Sequence, residues 1–200
     1  TFNYEGETLN CNGQEYKFTA QDLPSIKDDD FVWDAEDYSN KVTAELSCLN
    51  IPGVTYQNYS REWKDIDNSL LDDDDFGHRM NKSNPFKNEM AAEKIYDLKD
   101  TTEKIVAIYK LLKTKLKWNG DYGFWGRSSR NILKDGSGDN ADINFVLINM
   151  LHDAGIKASP VVMSTRDHGR LPLSYPSMKF LNTFVVGAYT KDSTMVFIDS

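Results

Sequence analysis

Apolar residues recur at helical spacing in two long windows. In the first, Ile105, Ile108, Leu112 and Leu116 fall on one side of a helix, joined by Val106, Tyr109 and Leu111. Asp100-Thr101-Thr102-Glu103 precedes them as a capping box, with Asp100 as N-cap and Glu103 at N3. Trp118-Asn119-Gly120 ends the pattern. In the second window, Ala141, Ile143, Phe145, Val146, Leu147, Ile148, Met150 and Leu151 cover more than one face. Such a helix is expected to be central, with partners on several sides. The turn GSGDNAD, residues 136–142, opens it, with Asp139 as N-cap and Asp142 at N3 near the positive helix end. Gly155 closes it.

Shorter patterns frame these two. Ser60 reads as an N-cap before Trp63, Ile66 and Leu70, which share one helical face. MAAEKIYDL (90–98) is a short helix candidate and RNIL (130–133) a turn or short helix. Residues 76–88 are polar, contain Pro85 and read as a linker. ASPVVMS (158–164), FLNTFVVGAY (180–189) and TMVFIDS (194–200) are strands, the last two joined near Thr190-Lys191-Asp192. TRDHGRLPLSYPSM (165–178) is a loop. EYKFTA (15–20) and NKVTAELSCL (40–49) are strand-like, with DLPSIKDDDF (22–31) a loop between them. Helices followed by an antiparallel sheet predict an α+β fold. The expected division is a β-rich segment over 1–55, a helical or irregular connector over 56–99 and a core over 100–200.

Composition narrows the function classes. With 200 residues the chain is long enough to bury a core without metal or disulfide support. Its net charge of −8 argues against a large phosphate-binding footprint, so no nucleic acid is expected. No apolar run reaches membrane-spanning length. The chain starts TFNYEGETLN, without an initiating Met, and reads as a trimmed or processed fragment. Cys11 and Cys48 allow one disulfide or two unpaired buried thiols. The acidic run 72–75 lacks the glycine and glutamate of an EF-hand and reads as a solvated surface, so no metal is expected. No cofactor motif is present.

Several stretches together carry a family resemblance: EKIVAIYKLLKTKLKWNG, SSRNIL, GSGDNADINFVLINMLHDAGIKASPVVMSTRDHG, FLNTFVV and FIDS. They resemble the transglutaminase-like branch of the papain-like cysteine peptidase fold, in a bacterial subgroup where this core follows a β-rich domain. DLPSIKDDDFVWDAEDYSNKVTAEL resembles the end of that preceding domain. The resemblance implies a periplasmic or exported protein and contacts to further parts of a longer chain. It also implies a cysteine at the first turn of the central helix, where the helix end stabilises a thiolate. A histidine on the following strand and an aspartate on the next would complete the set.

In this sequence those positions hold Asn140, Thr183 and Asp199. A carboxamide nitrogen is not nucleophilic near neutral pH, and a threonine hydroxyl is not a general base there. The resemblance therefore implies a degenerate domain without peptidase or transglutaminase activity. Three accounts of the remnant stay open: structural retention, a cleft reused for a peptide, protein or glycan, and chemistry by another route. No other residue takes over plainly. His152 lies about 18 Å along the same helix by its rise, His78 sits in a polar segment, and residues 120–200 contain no cysteine. Trp118, Tyr122, Phe124 and Trp125, interleaved with glycines, are candidate ligand contacts or core fillers. His168, in the loop after the first strand, is a further candidate contact. Arg127, Arg130, Arg166 and Arg170 are candidates for nearby positive charge.

Overall fold

A computed structural model describes residues 2–4, 7–9, 13–26, 35–42, 44, 46, 48–51, 53, 55–58, 62–172 and 175–199. Two short antiparallel hairpins come first: β1 (Phe2–Tyr4) with β2 (Glu7–Leu9), then β3 (Cys48–Ile51) with β4 (Thr55–Asn58). The strand expected over 15–20 does not form; of the stretch expected over 40–49, Cys48 and Leu49 lie in β3, while the described residues 40–42, 44 and 46 are not in a strand. Residues 15–20 are irregular, with Tyr16 and Phe18 exposed. Their alternation meets no partner strand or core face among the described residues, so β-propensity alone does not make a strand.

Helix α1 (Trp63–Leu71) buries Ile66 and Leu70. Its N-cap is Glu62, whose backbone N–H donates to Asp65 at 2.8 Å. Ser60 lies outside the described residues. The stretch 76–88 corrects the linker reading: Phe76 and Phe86 are both buried in the core. Phe76 packs on Phe124, Phe145 and Phe184, with ring centroids 5.0, 5.3 and 5.4 Å apart. A 3-10 helix (Gly77–Asn81) and helix α2 (Lys87–Ala92) follow. Gly77 sits so close to Leu71 that an added Cβ would lie 1.9 Å from its carbonyl oxygen, which only glycine permits.

Helix α3 (Thr101–Lys115) begins as its sequence predicts, with the Asp100 carboxylate accepting the Glu103 N–H at 2.9 Å. It buries Ile105, Ile108, Leu111 and Leu112. After a two-residue strand β5 (Lys117–Trp118) and helix α4 (Ser129–Asp135), strand β6 (Ser137–Gly138) leads into α5 (Asn140–Asp153). Every residue of α5 from Asn140 to Leu151 is buried. One face meets Ile105, Ile108 and Leu112 in the shared core, and another meets the sheet. That sheet is antiparallel, in the order β7 (Ala158–Met163), β8 (Thr183–Tyr189), β9 (Met195–Ile198). Phe184, Val186 and Ala188 alternate along β8 and are fully buried. The fold is α+β, with helices packed against a sheet.

His152 ties this core together at the far end of α5. Its ring nitrogens face the carbonyls of Met80 at 3.2 Å and Ala158 at 2.8 Å. Nearby, Tyr96 donates to Asp153, and burial with that carboxylate pushes the phenol up to about 12.

Candidate functional site

The site forms where α5 starts. Strand β5 pairs in parallel with β6, setting Trp118 beside Gly138. The Asn119 N–H then donates to the Gly138 carbonyl at 3.0 Å. Gly136 ends α4 at φ +64°, a left-handed position that favours glycine. Gly138 is needed for a different reason. A Cβ there would lie 2.7 Å from the Cβ of Asp142. Asp139 caps α5, its carboxylate accepting the Asp142 N–H at 2.8 Å. Asn140 thus becomes the first helical residue.

The Asn140 side chain is 2% exposed and uses both ends of its amide. Its Nδ2 donates to the Thr183 hydroxyl at 2.5 Å and reaches the Phe184 carbonyl at 3.4 Å. Its Oδ1 accepts the Gly123 N–H at 2.7 Å. Thr183 is buried as well, at 3% exposure. One turn further, Asn144 Nδ2 donates to the same Phe184 carbonyl at 2.8 Å. Two amides therefore stitch the helix start to the first two residues of β8, and one holds the aromatic loop. Asp199 lies one residue beyond Ile198, which pairs with Val186 of β8. It follows β9, is exposed, and its backbone carbonyl accepts the Tyr109 hydroxyl at 3.0 Å. No hydrogen bond joins Asp199 to Asn140 or Thr183 among the described residues.

An ion pair between a buried carboxylate and a half-exposed guanidinium underlies the turn and has no local sign in the sequence. Asp142 is 0% exposed and accepts from both the backbone N–H and Nε of Arg127, at 2.7 and 2.6 Å. The guanidinium also reaches Asp135 and the Ser137 carbonyl, each at 3.2 Å. An unpaired charge at such a depth is strongly unfavourable, so the pair fixes loop to helix. Asp142 at N3 was legible as a helix-end charge; its partner 15 residues earlier was not.

Burial pushes the Asp139 carboxyl above its ordinary range, and the Asp142 charge adds to this. The folded protein therefore binds more protons here than the unfolded chain. Stability falls as pH rises from the unfolded value of about 3.9 through the raised folded one. Asn caps helices as well as Asp does. Asp139→Asn is expected to gain melting temperature over the wild type as pH climbs from the carboxylate range to neutrality. A gain that stays flat with pH would contradict this.

The aromatic candidates divide. Phe124 is a core residue, stacked on Phe76. Trp125 is half-exposed and sets its edge against Phe124, centroids 5.1 Å apart. Trp118 and Tyr122 pair at 5.4 Å and are 46% and 60% exposed. Trp118 Nε1 donates to the Asp121 carbonyl at 2.7 Å, which fixes the ring. A cavity of about 300 Å³ runs beside it, walled by Tyr109, Leu116, Trp118 and Ile143. His168 is exposed and donates from Nε2 to the Lys179 carbonyl at 3.0 Å. Cys48 is a free, exposed thiol, so the buried alternative does not hold for it; Cys11 lies outside the described residues. In the acidic run, Asp74 faces His78 at 2.7 Å and Asp75 faces Arg79 at 2.5 Å. Among the described residues no group of three or more His, Cys, Asp or Glu side chains is placed to hold a metal ion. No described helix is long and apolar enough to cross a membrane.

No family model matches the chain, and no curated protein matches it. Among solved structures, the chain is similar to one described as "a putative protease from Parabacteroides distasonis". The identity is 19%, with a TM-score of 0.45, over 60% of this chain. The similar region spans 24% of that protein's chain.

Proposed function

We propose that this chain is a catalytically silent transglutaminase-like domain on a papain-like core. It works by binding or as a scaffold within a larger exported bacterial protein. The Asn140 side chain carries this reading. In an active domain of this kind the first turn of the helix would present a thiolate to an imidazole. Here a carboxamide is spent on three structural hydrogen bonds and lies 2% exposed. The position works as a clamp between helix, strand and loop, and Asp199 has no ring to orient.

Exposed rings favour binding over a purely structural role. Trp118 borders a cavity, and its ring and the tilted Tyr122 ring beside it offer exposed apolar faces to a sugar or a peptide side chain. A cysteine-dependent amidase, peptidase or cross-linking enzyme finds less support. Cys48 makes no hydrogen bond to any described histidine, and residues 120–200 contain no cysteine.

The placement is tested by rebuilding the dyad. In a Cys11→Ser, Cys48→Ser background, Asn140→Cys with Thr183→His is expected to fold and to show a depressed thiol pKa. Titration of the thiolate ultraviolet absorbance reads this directly. A folded variant whose thiol titrates at or above the free value of about 8.5 overturns the assignment of these positions.

A further inference from the structure

Away from the turn, the segment 79–85 and α4 border a second, open cavity of about 570 Å³. Arg79, Lys82 and Arg130 line it, together with the hydroxyl residues Ser83 and Ser129. No carboxylate lines it. This stands out in a chain of net charge −8. Arg79 is held in place by Asp75 at 2.5 Å, and its backbone carbonyl accepts Asn149 Nδ2 at 3.1 Å. That carboxylate balances Arg79. Lys82 and Arg130 have no acidic partner among the described residues, which leaves two uncompensated positive charges at one cavity.

We propose that this cavity binds a doubly charged tetrahedral oxoanion, the phosphate group of a small monoester. Two free cations match two negative charges. A guanidinium offers paired N–H donors and an ammonium a mobile point charge, the usual combination around phosphate oxygens. Ser83 and Ser129 add neutral donors. Pro85 and Leu133 give an apolar wall for the carbon skeleton of the ester. The surface is independent of the Asn140 clamp, so neither proposal depends on the other.

Inorganic phosphate and sulfate are the probes, titrated into the wild-type chain at low ionic strength by calorimetry and by thermal shift. Saturable one-to-one binding with a rise in melting temperature is expected. Lys82→Gln and Arg130→Gln alter exposed side chains and should leave the fold intact. Each is expected to weaken binding about tenfold or more. Lys94→Gln, away from the cavity lining, should leave binding unchanged. Vesicles carrying phosphatidic acid form a second arm. Binding to free phosphate alone assigns a soluble ester, and capture by vesicles with the same Lys82 and Arg130 dependence assigns a lipid headgroup. Absence of saturable binding, or binding indifferent to both substitutions, overturns the proposal.

Discussion

Arg127→Ala is expected to destabilise the protein by about 2–3 kcal/mol, at or below the lower end of the range for a pair buried on both sides, because Asp142 is buried while the Arg127 side chain is 43% exposed. Asp142 is fully buried and loses the Nε donor at 2.6 Å. The cost stays at the low end because the Arg127 backbone N–H, at 2.7 Å, is still there to serve the carboxylate. Asp142 also cannot retreat to solvent, since it belongs to the first turn of α5 and presses on Gly138. Denaturant unfolding measures the change. The double variant Arg127→Met, Asp142→Leu provides the control: removing both charges should recover much of the loss. A loss under about 1 kcal/mol in the single variant, as for an exposed pair, would show that the pair does not fix the loop.

Phe76→Ala is expected to cost about 3–5 kcal/mol, the range for truncating a buried aromatic residue. The ring touches α5 through Phe145, the sheet through Phe184 and the aromatic loop through Phe124. No single neighbour is able to collapse into the space, because each is anchored on a different element. Phe76→Leu should cost markedly less, since it fills part of the volume. The same unfolding curves report both. Equal, small losses for the two variants would mean that the segment around Phe76 is as peripheral as its sequence reads.

These two residues also mark how far the sequence was legible. Phe76 lies in a stretch of aspartates and polar residues with no apolar period, so it carries no local sign of burial. Arg127 was one of four arginines with nothing to select it. By contrast, Asp100 and Asp139 were readable as helix caps, because a cap bond spans only three residues. Asn140 was readable as a helix-start position with unsuitable chemistry. Its partners Thr183 and Gly123, 43 and 17 residues away, were brought to it by the fold.

The sequence by itself determined the helices over 101–115 and 140–153, the three strands after them and the lack of any cysteine from 120 to 200. Those features depend on local spacing, capping and side-chain identity, all of which survive in one dimension. Only the tertiary structure decided that Phe76 and Phe86 are core and that Tyr16 and Phe18 are not. It alone closed Asn140 onto Thr183 and gathered Arg79, Lys82 and Arg130 at one cavity. Burial and charge pairing belong to neighbours in space, and a residue's neighbours are set by how whole elements pack.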